Sequence, residues 1–266
     1  MSNPSCFFKC KTLEGHILKY VVEVLQNNFK VIYFDVDASG MNVRNIDDNQ
    51  NIMLDVTLDG SRFVSFQCKS PITIGVHIDH MFKVIKNIKK QDSVSLIVAE
   101  DEPGMLRVDI ERDSVCFCTS KLPLQTVQLR NIDLPPTSKY AHVINLSSRD
   151  FFKIIKEVST ISDKVQVTTT PSCIDILSDN SGMFSKTFSI GTGTVGTSTT
   201  TDEADVDKVT STFYVQEFQK FAKISMVSSM FTIRTGHTVP LCFEASIGQI
   251  GQLKAYIKHI DLSTIL

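Results

Sequence analysis

Three lysine pairs share one spacing: Lys83-Val-Ile-Lys86, Lys153-Ile-Ile-Lys156 and Lys220-Phe-Ala-Lys223. Residues three apart on a helix share a face, so each pair would present two ammonium groups side by side. Lysine is a flexible point charge that attracts phosphate without reading bases. Each phosphate it neutralises releases counterions, so such binding is sequence-independent and salt-sensitive. No aromatic residue joins the lysines on that face, so base stacking is not implied. The expected ligand is the backbone of duplex nucleic acid. Bulk charge argues the other way, since 27 Lys and Arg stand against 29 Asp and Glu for a net charge of −2. Nucleic-acid-binding domains are usually strongly basic. Here charge is segregated instead: the three lysine segments carry +5 between them and leave −7 on the rest. A lysine face on one helix mostly just solubilises it; the same pair on three helices of a mildly acidic chain favours anion binding.

Four segments with helical periodicity would position these side chains, at 14–27, 79–90, 148–159 and 215–225. In the second, Met81, Val84, Ile85 and Ile88 oppose Lys83, Lys86 and Lys90. In the third, Phe151, Ile154, Ile155 and Val158 oppose Arg149, Lys153 and Lys156. In the fourth, Phe218, Phe221 and Ala222 oppose Gln216, Lys220 and Lys223. Each helix therefore has one face for a core and one for water. Asp79 and the run Ser147-Ser148-Arg149-Asp150 mark helix starts. The first segment is weaker, because its outward face carries His16, Lys19, Glu23 and Gln26. Lys19 is its contribution to the candidate phosphate-binding set, which Lys11, just before the segment, also joins.

The remainder reads as short strands with turn residues between them, at 31–36, 52–58, 94–98 and 106–110, and again at 165–169, 173–177, 231–234 and 241–244. Strands this frequent with few helices predict an α+β chain of large antiparallel sheets. Between the halves, 119–139 contains Pro123 and Pro135-Pro136, and two adjacent prolines exclude a central strand, so an extended connector is expected. The Thr- and Gly-rich, then acidic stretch at 191–207 reads as a solvated loop.

Other chemistry is excluded on specific grounds. No run of ~18 apolar residues predicts a membrane span, and residues 1–11 lack the pattern of a secretory signal. Seven cysteines (Cys6, Cys10, Cys68, Cys116, Cys118, Cys173, Cys242) include no CxxC pair, so buried thiols are expected rather than disulfides or zinc. The six histidines form no HxxxH pair, and no metal or cofactor is expected. Gly191-Thr-Gly193-Thr-Val-Gly196 matches GxGxxG but is not followed by a helix pattern, as a dinucleotide site requires. Asp47-Asp48 and Glu100-Asp101-Glu102 read as solvated turns. The chain is not expected to be an enzyme.

The order and spacing of several stretches carry a resemblance to a known family: Gly15-His-Ile-Leu-Lys19, Ala38-Ser-Gly-Met-Asn42 with Asp47, Phe66-Gln-Cys-Lys69, Gly75-Val-His-Ile with Lys83 and Lys86, Asp163, Thr238-Val-Pro-Leu241 and Gly251-Gln-Leu-Lys254. Over nearly its whole length the chain resembles the eukaryotic-type DNA sliding clamps, the proliferating cell nuclear antigen family. The resemblance implies two similar domains, expected at 1–123 and 141–266 around a connector at 124–140. Each would hold two helices on curved antiparallel sheets, and three subunits would close head to tail into a ring around double-stranded DNA. It implies subunit edges near 114–120 and 185–192, closed against one another as exposed strand edges require. It further implies a groove under the connector, lined by Ile46, Met53, Ile132, Leu134, Pro135, Tyr140, Pro240 and Tyr256. There DNA polymerase, clamp loader, ligase and nuclease would insert short motifs with apolar anchors, and the set is expected to form an exposed apolar patch. The implied compartment is the nucleus, or a viral replication site for a large-virus source. Three positions depart from the family pattern: Lys258-His259 replaces an Ala-Pro pair, Thr170-Pro171-Ser172 replaces a loop that carries a modifiable lysine, and Gln26 replaces a basic residue. Alternatives are a subunit of a heterotrimeric checkpoint-type ring, which would stay monomeric alone, and a DNA-processing nuclease using the carboxylate runs.

Overall fold

A computed structural model of the protein describes residues 5–112, 116–127, 132–180, 182–191 and 207–262. The first half runs β1 (Cys6–Thr12), α1 (Gly15–Gln26), β2 (Val31–Val36), β3 (Gly40–Ile46), β4 (Ile52–Asp59), β5 (Ser65–Cys68), β6 (Ile72–His77), α2 (Ile78–Ile85), β7 (Ser93–Ala99), β8 (Met105–Arg112) and β9 (Cys116–Pro123). The second runs β10 (His142–Ser147), α3 (Ser148–Val158), β11 (Lys164–Thr169), β12 (Cys173–Asp179), β13 (Ser185–Gly191), β14 (Val209–Tyr214), α4 (Val215–Gln219), β15 (Met230–Thr235), β16 (Leu241–Ile247) and β17 (Gly251–Ile257). Apart from β5, the second half repeats the first element by element among the described residues. The fold is α+β, two similar domains with helices on antiparallel sheets.

The sheets do not respect the domain boundary. One has the order β5-β1-β7-β8-β9, one the order β13-β12-β11-β14, and the largest the order β10-β15-β16-β17-β4-β3-β2-β6. That largest sheet is made of half of each domain, joined where β17 lies antiparallel to β4 with Tyr256 opposite Met53 and Lys254 opposite Asp55. By the same repeat, β9 corresponds to β17 and β13 to β4. Both are terminal strands of their sheets.

Alternation sets which side of each strand is buried. Leu54, Val56 and Leu58 of β4, and Leu253, Ala255 and Ile257 of β17, enter the main core with the helices. Of the residues expected on core faces, Met81, Ile85 and Ile88, and Phe151, Ile155 and Val158 of α3, are buried, while Val84 and Ile154 are partly buried against the same core. Phe152, not expected there, is buried as well, and α1 contributes Leu18, Val21, Val22 and Leu25. Phe151 sits in a cluster of rings, edge-on to Phe152, Phe218, Phe231 and Phe243 at 5.3–5.9 Å.

Helix ends differ from expectation in three places. Ser147 caps α3 by accepting the Asp150 N–H at 3.3 Å, as predicted. Asp79, however, is not a cap: His77 precedes α2, and Asp79 lies in its first turn and accepts from Gln26 Nε2 at 2.8 Å. The helix also stops at Ile85, so Lys90 projects from the following turn, which is held by the Lys89 N–H donating to Asp92 Oδ2 at 2.9 Å. The fourth segment divides into α4 and a 3-10 turn over Ala222–Met226. Phe218, Phe221 and Ile224 are all buried at a spacing of three, which suits the three-residue turn of a 3-10 helix. Ala222, expected on the core face, is turned to solvent.

The connector region is also only partly as expected. Residues 119–123 belong to strand β9 rather than to an extended linker, and Thr137–Lys139 form a 3-10 turn. Two glycines let the backbone come close at its ends. A Cβ on Gly75 would lie 2.8 Å from the Gln125 carbonyl oxygen, and one on Gly236 would lie 2.4 Å from that of Lys139. All but the end residues of the loop expected at 191–207, and all but the first residue of the GxGxxG match, lie outside the described residues.

Candidate functional site

The helices share one side of the molecule. α2 packs on α1, α1 on the 3-10 turn after α4, and that turn with α4 on α3. Two side-chain contacts cross the domain boundary in this row: Lys223 Nζ pairs with Glu23 at 2.9 Å, and Asn27 Nδ2 donates to the Lys220 carbonyl at 3.1 Å. The lysine pairs of all three segments are thus brought onto one surface.

They are not equally available. Lys83, Lys86, Lys90, Arg149, Lys153 and Lys156 are exposed, and among the described residues none of them makes an ion pair. Lys220 is held by Glu217 at 2.6 Å, a carboxylate itself only 4 % exposed. Lys223 is held by Glu23, and Lys11 by Glu111 at 2.8 Å. Lys19 donates to the Ile88 carbonyl at 3.1 Å and lies over the Tyr20 ring. Ten predicted cations therefore divide into six free ones, on and just after α2 and on α3, and four already engaged. Lys89 is exposed beside Lys90 and escaped the helical-face reading because an α-helical projection puts it off the lysine face.

On the opposite face of the junction sheet, directly opposed residues form rows, since opposed residues share a face. One row is apolar across three strands and into a fourth: Ile46 faces Met53, Met53 faces Tyr256, and Tyr256 faces Cys242. The adjacent row is charged: Arg44, Asp55, Lys254 and Glu244. Leu54 and Ala255, between the two rows, point into the main core. The apolar row therefore lies on the face the helices do not cover.

Connector residues cover it. Met53, Ile132, Cys242 and Tyr256 form their own buried cluster, with Ile46 and Tyr140 packed against it. Pro135 and Pro240 are buried and Leu134 is 37 % exposed. Five of the eight expected groove residues, Ile46, Met53, Ile132, Tyr140 and Tyr256, thus pack together under the connector. The expectation of an exposed patch is corrected: Met53 is 0 % exposed and Tyr256 4 %. An apolar row facing water is unfavourable, and the connector folds onto it. Cys242 was missed in the sequence, although it stands two residues after Pro240 on a strand whose alternation was read. Burial pushes its thiol up to about 12, helped by the Glu244 carboxylate. Burial likewise raises the phenols of Tyr140 and Tyr256. All three are neutral near neutral pH, so the apolar row itself carries no charge.

His259, in the place of an expected proline, is buried on the Phe213 ring with neither ring nitrogen bonded. Burial lowers its pKa. The flanking backbone ties both domains, Lys258 N–H donating to the Asn51 carbonyl and Ile260 N–H to that of Thr212. Among the described residues no group of three or more His, Cys, Asp or Glu is placed to hold a metal ion.

A repeated domain, a shared helix face carrying free cations and a sheet continuous across the domain junction define a clamp fold. Comparison with known families names it. The model for proliferating cell nuclear antigen, N-terminal domain, matches residues 7–134, and that for proliferating cell nuclear antigen, C-terminal domain, matches residues 135–260. The chain belongs to the proliferating cell nuclear antigen family and is a sliding clamp. The family acts in DNA replication and repair as a scaffold that encircles DNA and binds other proteins.

Proposed function

We propose that three copies of this chain close head to tail into a ring whose helix face surrounds duplex DNA. On this reading the connector groove recruits DNA polymerase, clamp loader, ligase and nuclease through short apolar and aromatic motifs, in the nucleus or at a viral replication site. The observation that carries the ring is the repeat of the domain junction. Inside one chain β17 closes on β4; β9 and β13 are the matching strands of the other pair of half-domains, and among the described residues each has one edge unpaired. Apolar side chains are exposed beside these edges, with Phe117 63 % and Phe184 52 % exposed. Edge strands of this kind are a liability in a monomer, and a head-to-tail contact that closes on itself removes them. Each added subunit would then repeat the junction that already exists within the chain.

The phosphate-attracting surface is centred on Lys83, Lys86, Lys153 and Lys156, with Lys90 and Arg149 beside them. Lysines there hold duplex backbone loosely, and ring closure keeps the protein on DNA. Light scattering after gel filtration tests assembly. A mass near three times 29.7 kDa is expected, with the exposed Cys118 thiol on β9 slow to alkylate at assembling concentrations. A stable monomer with a reactive Cys118 favours the heteromeric alternative.

A further inference from the structure

Between residues 132 and 136 the connector has one side-chain hydrogen bond to the sheet among the described residues: Arg44 Nη1 donates to the Ile132 carbonyl at 3.0 Å. Other ties lie nearer its ends, where Leu124 N–H donates to the Gly104 carbonyl, Gln125 N–H to that of Gly75, the Tyr33 hydroxyl to that of Thr126 and Ala141 N–H to that of Thr235. The same guanidinium is fixed from below, its Nε donating to Asp55 Oδ1 at 3.1 Å across the β3–β4 pair. A planar fork held on one edge by a carboxylate presents its other donors in a set direction. With its carbonyl held there, Ile132 lies on the Met53–Tyr256 row and fills it. Beside it the Tyr140 hydroxyl is buried with no partner among the described residues, a polar atom that an inserted segment could satisfy.

We propose that Arg44 is a latch that keeps the connector shut over the apolar row, and that a partner segment docks by displacing the Ile132 carbonyl from the guanidinium. The second half rests on the groove reading given above. Asp55 keeps the guanidinium in place after the carbonyl leaves, so Arg44 offers the same donor to a backbone carbonyl of the incoming segment. The latch sets how often the groove opens, and the apolar row sets how tightly the segment holds.

Two measurements on the full-length, assembled protein separate the parts. Hydrogen–deuterium exchange over residues 132–140, without any partner, reads the latch alone. Replacing Arg44→Ala should speed exchange there roughly three- to ten-fold, the range for one hydrogen bond from a charged, partly exposed donor. Asp55→Asn, which leaves the guanidinium unanchored, should do so in part. Unchanged exchange in both variants overturns the latch, whatever a peptide does. Fluorescence anisotropy with a labelled short peptide carrying one aliphatic and two aromatic anchors reads the groove. The peptide should associate faster with R44A by a similar factor and fail to bind Ile46→Glu. Faster exchange without faster association overturns the displacement step. Equal binding to wild type and I46E overturns the groove reading while leaving the latch result standing.

Discussion

Lys223, in the turn after α4, pairs with Glu23 of α1 at 2.9 Å and so joins the helix faces of the two domains. The pair also engages one of the lysines proposed to attract phosphate. Replacing Glu23→Gln should release it. Lys223 is half exposed, so the pair contributes at most about 1 kcal/mol to stability, and the fold should be unaffected. DNA affinity at low salt should rise, and the slope of log affinity against log salt should steepen by about 0.9, one further phosphate contact. A titration of binding to a short duplex across salt concentrations checks this; an unchanged slope means that Lys223 does not reach DNA even when free.

The four unpaired lysines of α2 and α3 should matter more than those of the α4 segment. Lys83→Glu, Lys86→Glu, Lys153→Glu and Lys156→Glu together should abolish polymerase stimulation while leaving the assembly mass unchanged. Lys220→Glu and Lys223→Glu should weaken it less, because those lysines are already neutralised by Glu217 and Glu23. Primer-extension length at moderate salt distinguishes the two sets.

Phe151 should be the costliest of the helix residues to truncate. It is fully buried and touches four other rings. Phe151→Ala leaves a cavity where the neighbours cannot all collapse, and about 3–5 kcal/mol of stability should be lost. Chemical denaturation gives the value. A loss under about 1 kcal/mol would mean that this cluster is not the centre of the second-domain core.

His259 should make stability fall with acidity. Burial lowers its folded pKa, with Asp261 opposing and Lys258 adding to the effect. The unfolded chain therefore takes up a proton near ~6.5 while the folded chain resists. Stability from this group is full above that pH and is lost as pH falls toward the lowered folded value. His259→Leu should flatten the dependence in denaturation curves collected across this window. An equally steep curve in the variant would assign the effect to other groups.

Much of this was legible because it depends on local period. The apolar faces of the α2 and α3 segments put Met81, Ile85, Ile88, Phe151, Ile155 and Val158 in the core, as spacing alone selects, with Val84 and Ile154 partly buried beside them. What was not legible depends on contacts far apart in the chain. Nothing near Lys223 in sequence announces Glu23, and nothing near Lys11 announces Glu111. The same holds for Arg44, whose role comes from a strand partner eleven positions away, Asp55, and a connector carbonyl much further on. The fourth helix was misjudged because a core spacing of three, Phe218-Phe221-Ile224, satisfies a 3-10 turn as well as an α-helix. Five of the expected groove residues do pack together, but their burial was not legible, since period cannot say that a connector will lie down on an apolar row.

The lysine surface and the ring make separable demands, and retention on DNA separates them most directly. The protein would be loaded onto nicked circular DNA with a clamp loader and ATP, washed at a salt concentration that abolishes its binding to short duplexes, and then the circle would be cut once. Closure predicts that the protein stays on the circle through the wash and leaves when the DNA is linearised. Loss from the intact circle at that salt, or equal retention on circular and linear DNA, would contradict it.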